Sequence, residues 1–323
     1  MRMWRVKFPH RASLRGARAM HKFDIDTLNL CTPSAVIRVL REHRIHPNRL
    51  MGQHFIVDRN VLRRIINAAE LSQDDYILEI GTGLGTLTAA LAHRARWVLT
   101  VEKDERLANV ADVLLRDMPN VEVVNADFLE INIGQALSNA PNRHHENRWK
   151  VIANLPYYVS KPILMRLIEH RQYWNVAVLT VQREVAERLC AQPSSKAYGV
   201  LSIAIQLYAD VEMIGNVAPQ CFFPPPKVAS TTIRLWFHTE PKVDVCDEML
   251  FFAIVNAAFA ERRKQVVNSL LRHVASIQWS RDEWEQALRD ANIPSSARAE
   301  QISIEQFAHL THVVKMSQRR CNI

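Results

Sequence analysis

Five short apolar runs, separated by stretches of helical period, constrain this chain more than any other feature. They are YILEI at 76–80, WVLTV at 97–101, VEVVN at 121–125, KVIAN at 150–154 and VAVLTV at 176–181. Each has strand length. The gaps between them repeat apolar residues at helical spacing, as in Leu87–His93 and Arg106–Arg116. Strands alternating with helices predict βαβ units and a mostly parallel sheet, hence an α/β fold. Two later runs, at about 211–217 and 228–237, are joined by a short connection and predict an antiparallel pair at one edge. Upstream, PSAVIRVLREHR (33–44) predicts an amphipathic helix with Pro33 near its start and Val36, Val39 and Leu40 as its apolar stripe. The polar segment at 138–149 predicts a loop before the fourth strand. Near 239–244 the composition becomes that of a linker, and the runs 247–260, 264–275, 280–291 and 303–316 then all read as helices. The expected organisation is an N-terminal extension with its amphipathic helix at 1–50, an α/β domain at 51–238, and a small helical domain at 239–323.

The chain has 323 residues, 48% of them hydrophobic, enough for a substantial core. It has no run of 18 apolar residues, which excludes a transmembrane helix, and no apolar segment near the N-terminus of the secretory kind. Five scattered cysteines with no C-x-x-C pair argue against a disulfide framework or a Cys-rich zinc site. They fit a reducing compartment, of which the bacterial cytoplasm is the simplest. Seven of the eight net positive charges lie within residues 1–22, on Arg2, Arg5, Lys7, Arg11, Arg15, Arg18 and Lys22. The high isoelectric point therefore describes a tail, and the remaining 301 residues are nearly neutral. The tail can be a phosphate-holding or solvated arm, an organelle-targeting segment, or the product of a start upstream of Met20.

Three of only eight glycines fall in Gly81-Thr82-Gly83-Leu84-Gly85, directly after the first strand and before a helix. Such a turn lets a ligand approach the backbone and offers it the free N–H groups of a helix N-terminus. Thr86 stands where G-x-G-x-x-G needs its last glycine, so a dinucleotide fits poorly. E-x-G-x-G-x-G, with Glu79 in front, suits S-adenosylmethionine, which has no pyrophosphate to seat. A tight βα turn with no ligand is the plain alternative. Glu102 ends the second strand, 21 residues after Gly81, where a carboxylate can accept from ribose hydroxyls. Asp127 follows the third strand, where it can accept from an adenine amine. Each alone also serves as a loop acid or helix cap.

After the fourth strand comes Asn154-Leu155-Pro156-Tyr157. It reads either as a turn or as a device for an exocyclic amine. In the second case the Asn154 oxygen and a backbone carbonyl of Leu155 or Pro156 accept the two N–H bonds, and Tyr157 stacks on the base. No general base is needed, because the methylated aminium is itself acidic. A second aromatic loop, Cys221-Phe222-Phe223-Pro224-Pro225-Pro226-Lys227-Val228, precedes the last strand and can supply the opposite wall or simply a rigid connection.

These residues together resemble the KsgA/RsmA family of ribosomal RNA adenine N6,N6-dimethyltransferases. The matching segments are Gly52–Phe55, Gly81–Gly85, Asn154–Tyr157, Gln182–Leu189, Ala197–Gly199, Phe222–Val228, Ala258–Lys264 and Arg298–Glu300, in order over about 290 residues. The resemblance implies a class I S-adenosylmethionine-dependent methyltransferase fold, Rossmann-like, with a seven-stranded sheet whose last strand is antiparallel, capped by a small helical domain. It implies that His54, Ile56, Gly81, Gly83, Gly85, Glu102, Asp127 and Asn154 hold the cofactor, and that Tyr157 and Phe222 sandwich the target base. His54 stands where the family often has Asn, and Tyr158-Val159-Ser160-Lys161 departs from the common Asn-Ile-Ser-Thr.

Arg262, Arg263 and Lys264 form one basic turn; such clusters are usually solvated faces, whereas the resemblance implies a phosphate contact. The expected partner is small-subunit rRNA within a pre-30S particle, with two adjacent adenosines dimethylated near its 3′ end, as the resemblance implies. No membrane, no metal and a monomer are expected. Two rivals share the fold: an Erm-type enzyme of large-subunit rRNA, and a non-catalytic RNA-binding assembly or transcription factor.

Overall fold

The computed structural model describes residues 30–48, 51–141, 148–274 and 277–321. The basic N-terminal segment, and His144-His145 in the polar loop, lie outside these residues. The chain opens with α1 (Pro33–Glu42), β1 (Phe55–Ile56) and α2 (Arg59–Ala68). It then alternates through β2 (Tyr76–Ile80), α3 (Thr86–Ala92), β3 (Trp97–Glu102), α4 (Glu105–Leu114), β4 (Val121–Asn125), α5 (Ile133–Ser138), β5 (Trp149–Asn154), α6 (Ser160–Glu169) and β6 (Trp174–Gln182). There follow α7 (Arg183–Leu189), α8 (Val200–Tyr208), β7 (Ala209–Val217), β8 (Phe222–Phe223) and β9 (Ser230–Phe237). Four helices finish the chain: α9 (Glu248–Ala260), α10 (Val266–His273), α11 (Arg281–Asp290) and α12 (Ile304–Cys321).

Seven strands form one sheet in the order β4-β3-β2-β5-β6-β9-β7. The first five are parallel; β9 runs antiparallel between β6 and β7. All five residues of β2 are buried, as a central strand covered by helices on both faces requires. Trp149 and Trp174 are register partners at the start of β5 and β6, and both are wholly buried. Each indole removes roughly 200 Å² from water, a gross gain of about 5 kcal/mol at about 25 cal/mol per Å². The Trp174 indole N–H keeps a partner by donating to the Leu167 carbonyl at 3.0 Å.

Local chemistry sets the helix starts. Thr32 caps α1 with Pro33 in its first turn, the Asp58 carboxylate accepts from the Asn60 and Val61 amides of α2, and Asp104 caps α4. Val36, Val39 and Leu40 do form the buried stripe of α1, in a cluster with Phe55, Val57, Leu84, Leu107 and Val110. The helices after residue 247 share one apolar cluster with the sheet, in which Phe251, Ile254 and Val255 of α9 join Ile203 and Leu207 of α8.

One connection differs from its sequence reading. Between β7 and β9 the chain does not make a short turn. It leaves the sheet, and Phe222-Phe223 pair antiparallel with Phe55-Ile56, Ile56 opposite Phe222 and Phe55 opposite Phe223. The partner strand is 167 residues away in sequence, so no local pattern could reveal it. The pairing brings the N-terminal segment and the proline-rich loop together above the C-terminal ends of β2 and β5. Strand order reverses at β2, with β3 on one side and β5 on the other, and ligands bind at such a switch point in open α/β sheets. Among the described residues no helix is long and apolar enough to cross a membrane.

Candidate active site

A cleft of about 1020 Å³, its open mouth included, lies at this switch point. Its lining contains His54, Ile56, Gly81, Gly83, Glu102, Asp127, Asn154 and Pro156, eight positions marked in the sequence. Two backbone hydrogen bonds hold the glycine loop, the first continuing the β2–β3 ladder and the second closing a four-residue turn. The Gly81 amide donates to the Val101 carbonyl at 2.8 Å, and the Gly85 amide to the Thr82 carbonyl at 2.9 Å. Gly83 has φ +58°, and a Cβ there would come within 3.2 Å of the Phe55 ring. Its missing side chain therefore admits Phe55 and keeps the loop's backbone open to a ligand.

Gly85 does not line the cleft. It caps α3 at φ +79°, and a Cβ would meet the Leu115 side chain at 3.0 Å. Its glycine is required by backbone conformation and by packing on Leu115, so its expected ligand contact is replaced by a structural role.

Glu102 is 8% exposed. Its Oε2 accepts from the Gly83 amide and its Oε1 from the Asp104 amide, both at 2.9 Å. These bonds orient the carboxyl toward the cleft; burial pushes its pKa up while the two amides pull it down. Asp127 accepts from the Leu129 amide at 2.8 Å and pairs with Lys103 Nζ at 2.7 Å. Burial works to raise its pKa, but Lys103 and the amide outweigh it and hold the carboxyl below its ordinary value. Both acids are thus fixed before any ligand arrives.

The Asn154 side chain is oriented just as firmly. Its Nδ2 donates to the His54 carbonyl at 2.9 Å. A carbonyl partner requires the NH₂ on that side, so Oδ1 is the acceptor left for the cleft. The His54 ring lies 5.6 Å from that of Tyr157 and donates from Nδ1 to the Pro224 carbonyl at 2.6 Å. One histidine therefore ties the N-terminal segment to both later loops. Leu155 is 1% exposed, so its side chain is core and only its backbone can serve a substrate. The Pro156 carbonyl accepts from the Val159 amide at 3.2 Å, closing a 3-10 turn at Tyr157–Val159.

The aromatic walls differ from expectation. Neither Tyr157 nor Phe222 lines the cleft. The Tyr157 hydroxyl shares a hydrogen bond of 2.5 Å with Ser230 Oγ. Phe222 is 3% exposed and belongs to an apolar cluster with Ile56, Val61, Leu62 and Val217. Pairing with β1 draws it into the core, a consequence of the long-range β1–β8 contact. Tyr158, half-exposed, lines the cleft instead; the sequence shows this adjacent aromatic, but nothing local tells which of the two tyrosines faces the cleft.

The basic turn is also divided. Arg262 Nη2 donates to the carbonyls of Lys196 at 3.0 Å and Tyr198 at 2.8 Å, and lies 3.4 Å from Glu300 Oε2. Three matching segments thus meet at one joint: Ala197–Gly199, Ala258–Lys264 and Arg298–Glu300. Arg262 thus has one guanidinium nitrogen engaged within the protein while its side chain stays 45% exposed, so a structural joint stands beside the phosphate contact expected at that position. Arg263 and Lys264 are exposed, and their side chains make no ion pair among the described residues.

The chain is similar to several known proteins. The model of the family described as "Ribosomal RNA adenine dimethylase" matches residues 45–315. A "Ribosomal RNA small subunit methyltransferase A" of Syntrophus aciditrophicus is 39% identical over 285 residues, 87% of this chain and 99% of that protein. One from Alkaliphilus metalliredigens is 38% identical over 289 residues, covering 90% of this chain and 99% of its own. Among solved structures, a dimethyladenosine transferase from Plasmodium falciparum shares the fold with TM-score 0.66 and 24% identity, over 83% of this chain and 98% of that one. The 23S rRNA methyltransferase ErmE gives TM-score 0.60 and 29% identity, over 81% and 99%.

Proposed function

Because the chain belongs to the ribosomal RNA adenine dimethylase family, we propose that it dimethylates N6 of two adjacent adenosines near the 3′ end of small-subunit rRNA, within a pre-30S particle and as a monomer. The enzyme is an S-adenosylmethionine-dependent rRNA adenine dimethyltransferase of the KsgA type. The cleft suits that cofactor: Glu102 presents a buried, pre-oriented carboxylate to a ribose, Asp127 offers one to an adenine amine, and the Gly81–Gly83 backbone lies open to the methionine part. When bound, the cofactor supplies a methyl group on a positively charged sulfur.

The observation that carries the reading is the fixed amide of Asn154. An adenine N6 is a poor nucleophile because its lone pair is delocalised into the ring. Asn154 Oδ1, held outward by the Nδ2 bond to His54, accepts one N–H of that amine. The Leu155 carbonyl is the better second acceptor, since that of Pro156 already takes the Val159 amide. Two acceptors at fixed positions hold the nitrogen in line for attack and favour its tetrahedral form, a positioning effect worth several kcal/mol. Tyr158 at the mouth, with Tyr157 beside it, offers aromatic faces to a base taken out of its stack. The proton lost by the aminium passes to solvent. The basic groups Arg263 and Lys264 meet rRNA phosphates, and recognition runs through shape and local patches rather than bulk charge.

The test is methyl transfer from labelled S-adenosylmethionine to unmethylated small subunits, with large subunits and Asn154→Ala alongside. N6,N6-dimethyladenosine in small-subunit RNA, lost in the variant, is the expected result. Label confined to large-subunit RNA would assign the Erm-type activity instead. Binding to subunits without any transfer would leave a non-catalytic RNA-binding factor.

A further inference from the structure

The floor of the cleft holds a charge-bearing group to which the transfer reaction gives no task. Glu79, in the middle of β2, lines the cleft and is wholly buried. Its Oε2 accepts the Thr88 hydroxyl of α3 at 2.5 Å, while its Oε1 has no hydrogen-bond partner. Across the ladder it faces Thr100 of β3, whose hydroxyl is shared with Thr82, and Ile152 of β5. The charged group that acts on it is Glu102, a like charge. Lys150 of β5 is held at the other end of the strand by Asp75. Among the cleft's lining residues stand three carboxyls, one lysine and His54, and that lysine, Lys103, is taken by Asp127. A carboxylate at position 79 therefore has neither water nor a counter-charge. Burial pushes its carboxyl up to about 8; the Thr88 and Thr100 hydroxyls offset part of this, and Glu102 adds to it. Near neutrality Glu79 holds its proton.

We propose that Glu79 is the counter-charge for the cationic end of S-adenosylmethionine, protonated before the cofactor binds and ionised after, so that cofactor entry expels one proton to solvent. The proposal rests on the cleft being the cofactor site. A cation brought into this low-dielectric floor supplies the stabilisation that Glu79 lacks. The carboxyl then acts as a specificity device: it spends no interaction on a neutral nucleoside and rewards only a positively charged one.

The experiment is isothermal titration of S-adenosylmethionine into the full-length protein at pH 7, in two buffers of different ionisation enthalpy. From a free-state pKa of about 8, release of up to about 0.9 proton is expected. Glu79→Gln keeps the shape and an acceptor for Thr88, and mimics the protonated acid. It should release no proton, and show only the small uptake by the cofactor's own α-amino group, which both proteins share. The affinity gap between the two proteins should widen by up to tenfold per pH unit from pH 6 to 8 and then stay level. A merely structural role would give a gap independent of pH. Infrared difference spectra should show the protonated-carboxyl band lost on binding in the parent and unchanged in Glu79→Gln. S-adenosylhomocysteine keeps the ammonium and lacks the sulfonium: retained release assigns the ammonium as partner, and lost release the sulfonium. Binding with no proton release, or equal release by Glu79→Gln, overturns the proposal alone. No binding at all overturns the cofactor site with it.

Discussion

Replacing Arg262 by alanine separates a structural joint from an RNA contact. The guanidinium donates from one nitrogen to the carbonyls of Lys196 and Tyr198 at 3.0 and 2.8 Å, and lies 6.0 Å from the centre of the Phe259 ring. Hydrogen bonds from a charged donor contribute about 1.5–3 kcal/mol each. The Arg262 side chain is 45% exposed, so its ion pair with Glu300 at 3.4 Å adds little, and water replaces part of the rest. Halving the two carbonyl bonds leaves about 2 kcal/mol. At roughly 2 °C per kcal/mol for a chain of this size, Arg262→Ala should lower the unfolding midpoint by about 4 °C. Arg262→Lys should lose less, because a single ammonium nitrogen also carries enough N–H donors for both carbonyls, on a shorter side chain. Arg263→Ala and Lys264→Ala should leave the midpoint unchanged. They should instead weaken binding to small subunits and reduce the slope of log affinity against log salt by about one unit each. Calorimetry and filter binding at several salt concentrations measure both effects. If Arg262→Ala leaves the midpoint unmoved and lowers the salt slope as its neighbours do, the joint described above is wrong.

Asn154→Asp keeps an acceptor in the cleft but turns a carboxylate oxygen toward the His54 carbonyl, where an N–H now donates. Single-turnover methyl transfer should fall by about two to three orders of magnitude, with cofactor affinity changed far less; an intact rate would refute the positioning role. Gly85→Ala must adopt φ +79° and press on Leu115, so thermal unfolding should show a loss of about 1–3 kcal/mol, whereas Gly199→Ala, with open space around it, should not show that clash. Glu79 also makes stability pH-dependent before the cofactor binds. Its folded-state pKa lies above the ordinary value, so its contribution is full below about pH 4.5 and declines as pH rises toward 8. Unfolding midpoints of Glu79→Gln should therefore gain on the parent across that interval, and a constant difference would show that Glu79 does not titrate there.

Much of this protein is written in local pattern. Continuous apolar runs between helical stretches locate the strands, because a strand buried on both faces can carry no polar alternation. Glycines at 81 and 83, and acids at the ends of two successive strands, point to one cleft, because parallel strands all present their C-terminal ends on the same side. Asn154-Leu155-Pro156-Tyr157 is legible for the same reason. Pairing across long sequence separations is what the pattern leaves out. Only the tertiary structure sets Phe222 against Ile56 and so buries it, turns Arg262 back onto Lys196 and Tyr198, and spends Gly85 on Leu115. A residue's type and spacing state what it can bond to. Which partner it meets depends on the packing of segments far apart in the chain, and that same packing removes water from Glu79 and gives an ordinary glutamate a titration near neutrality.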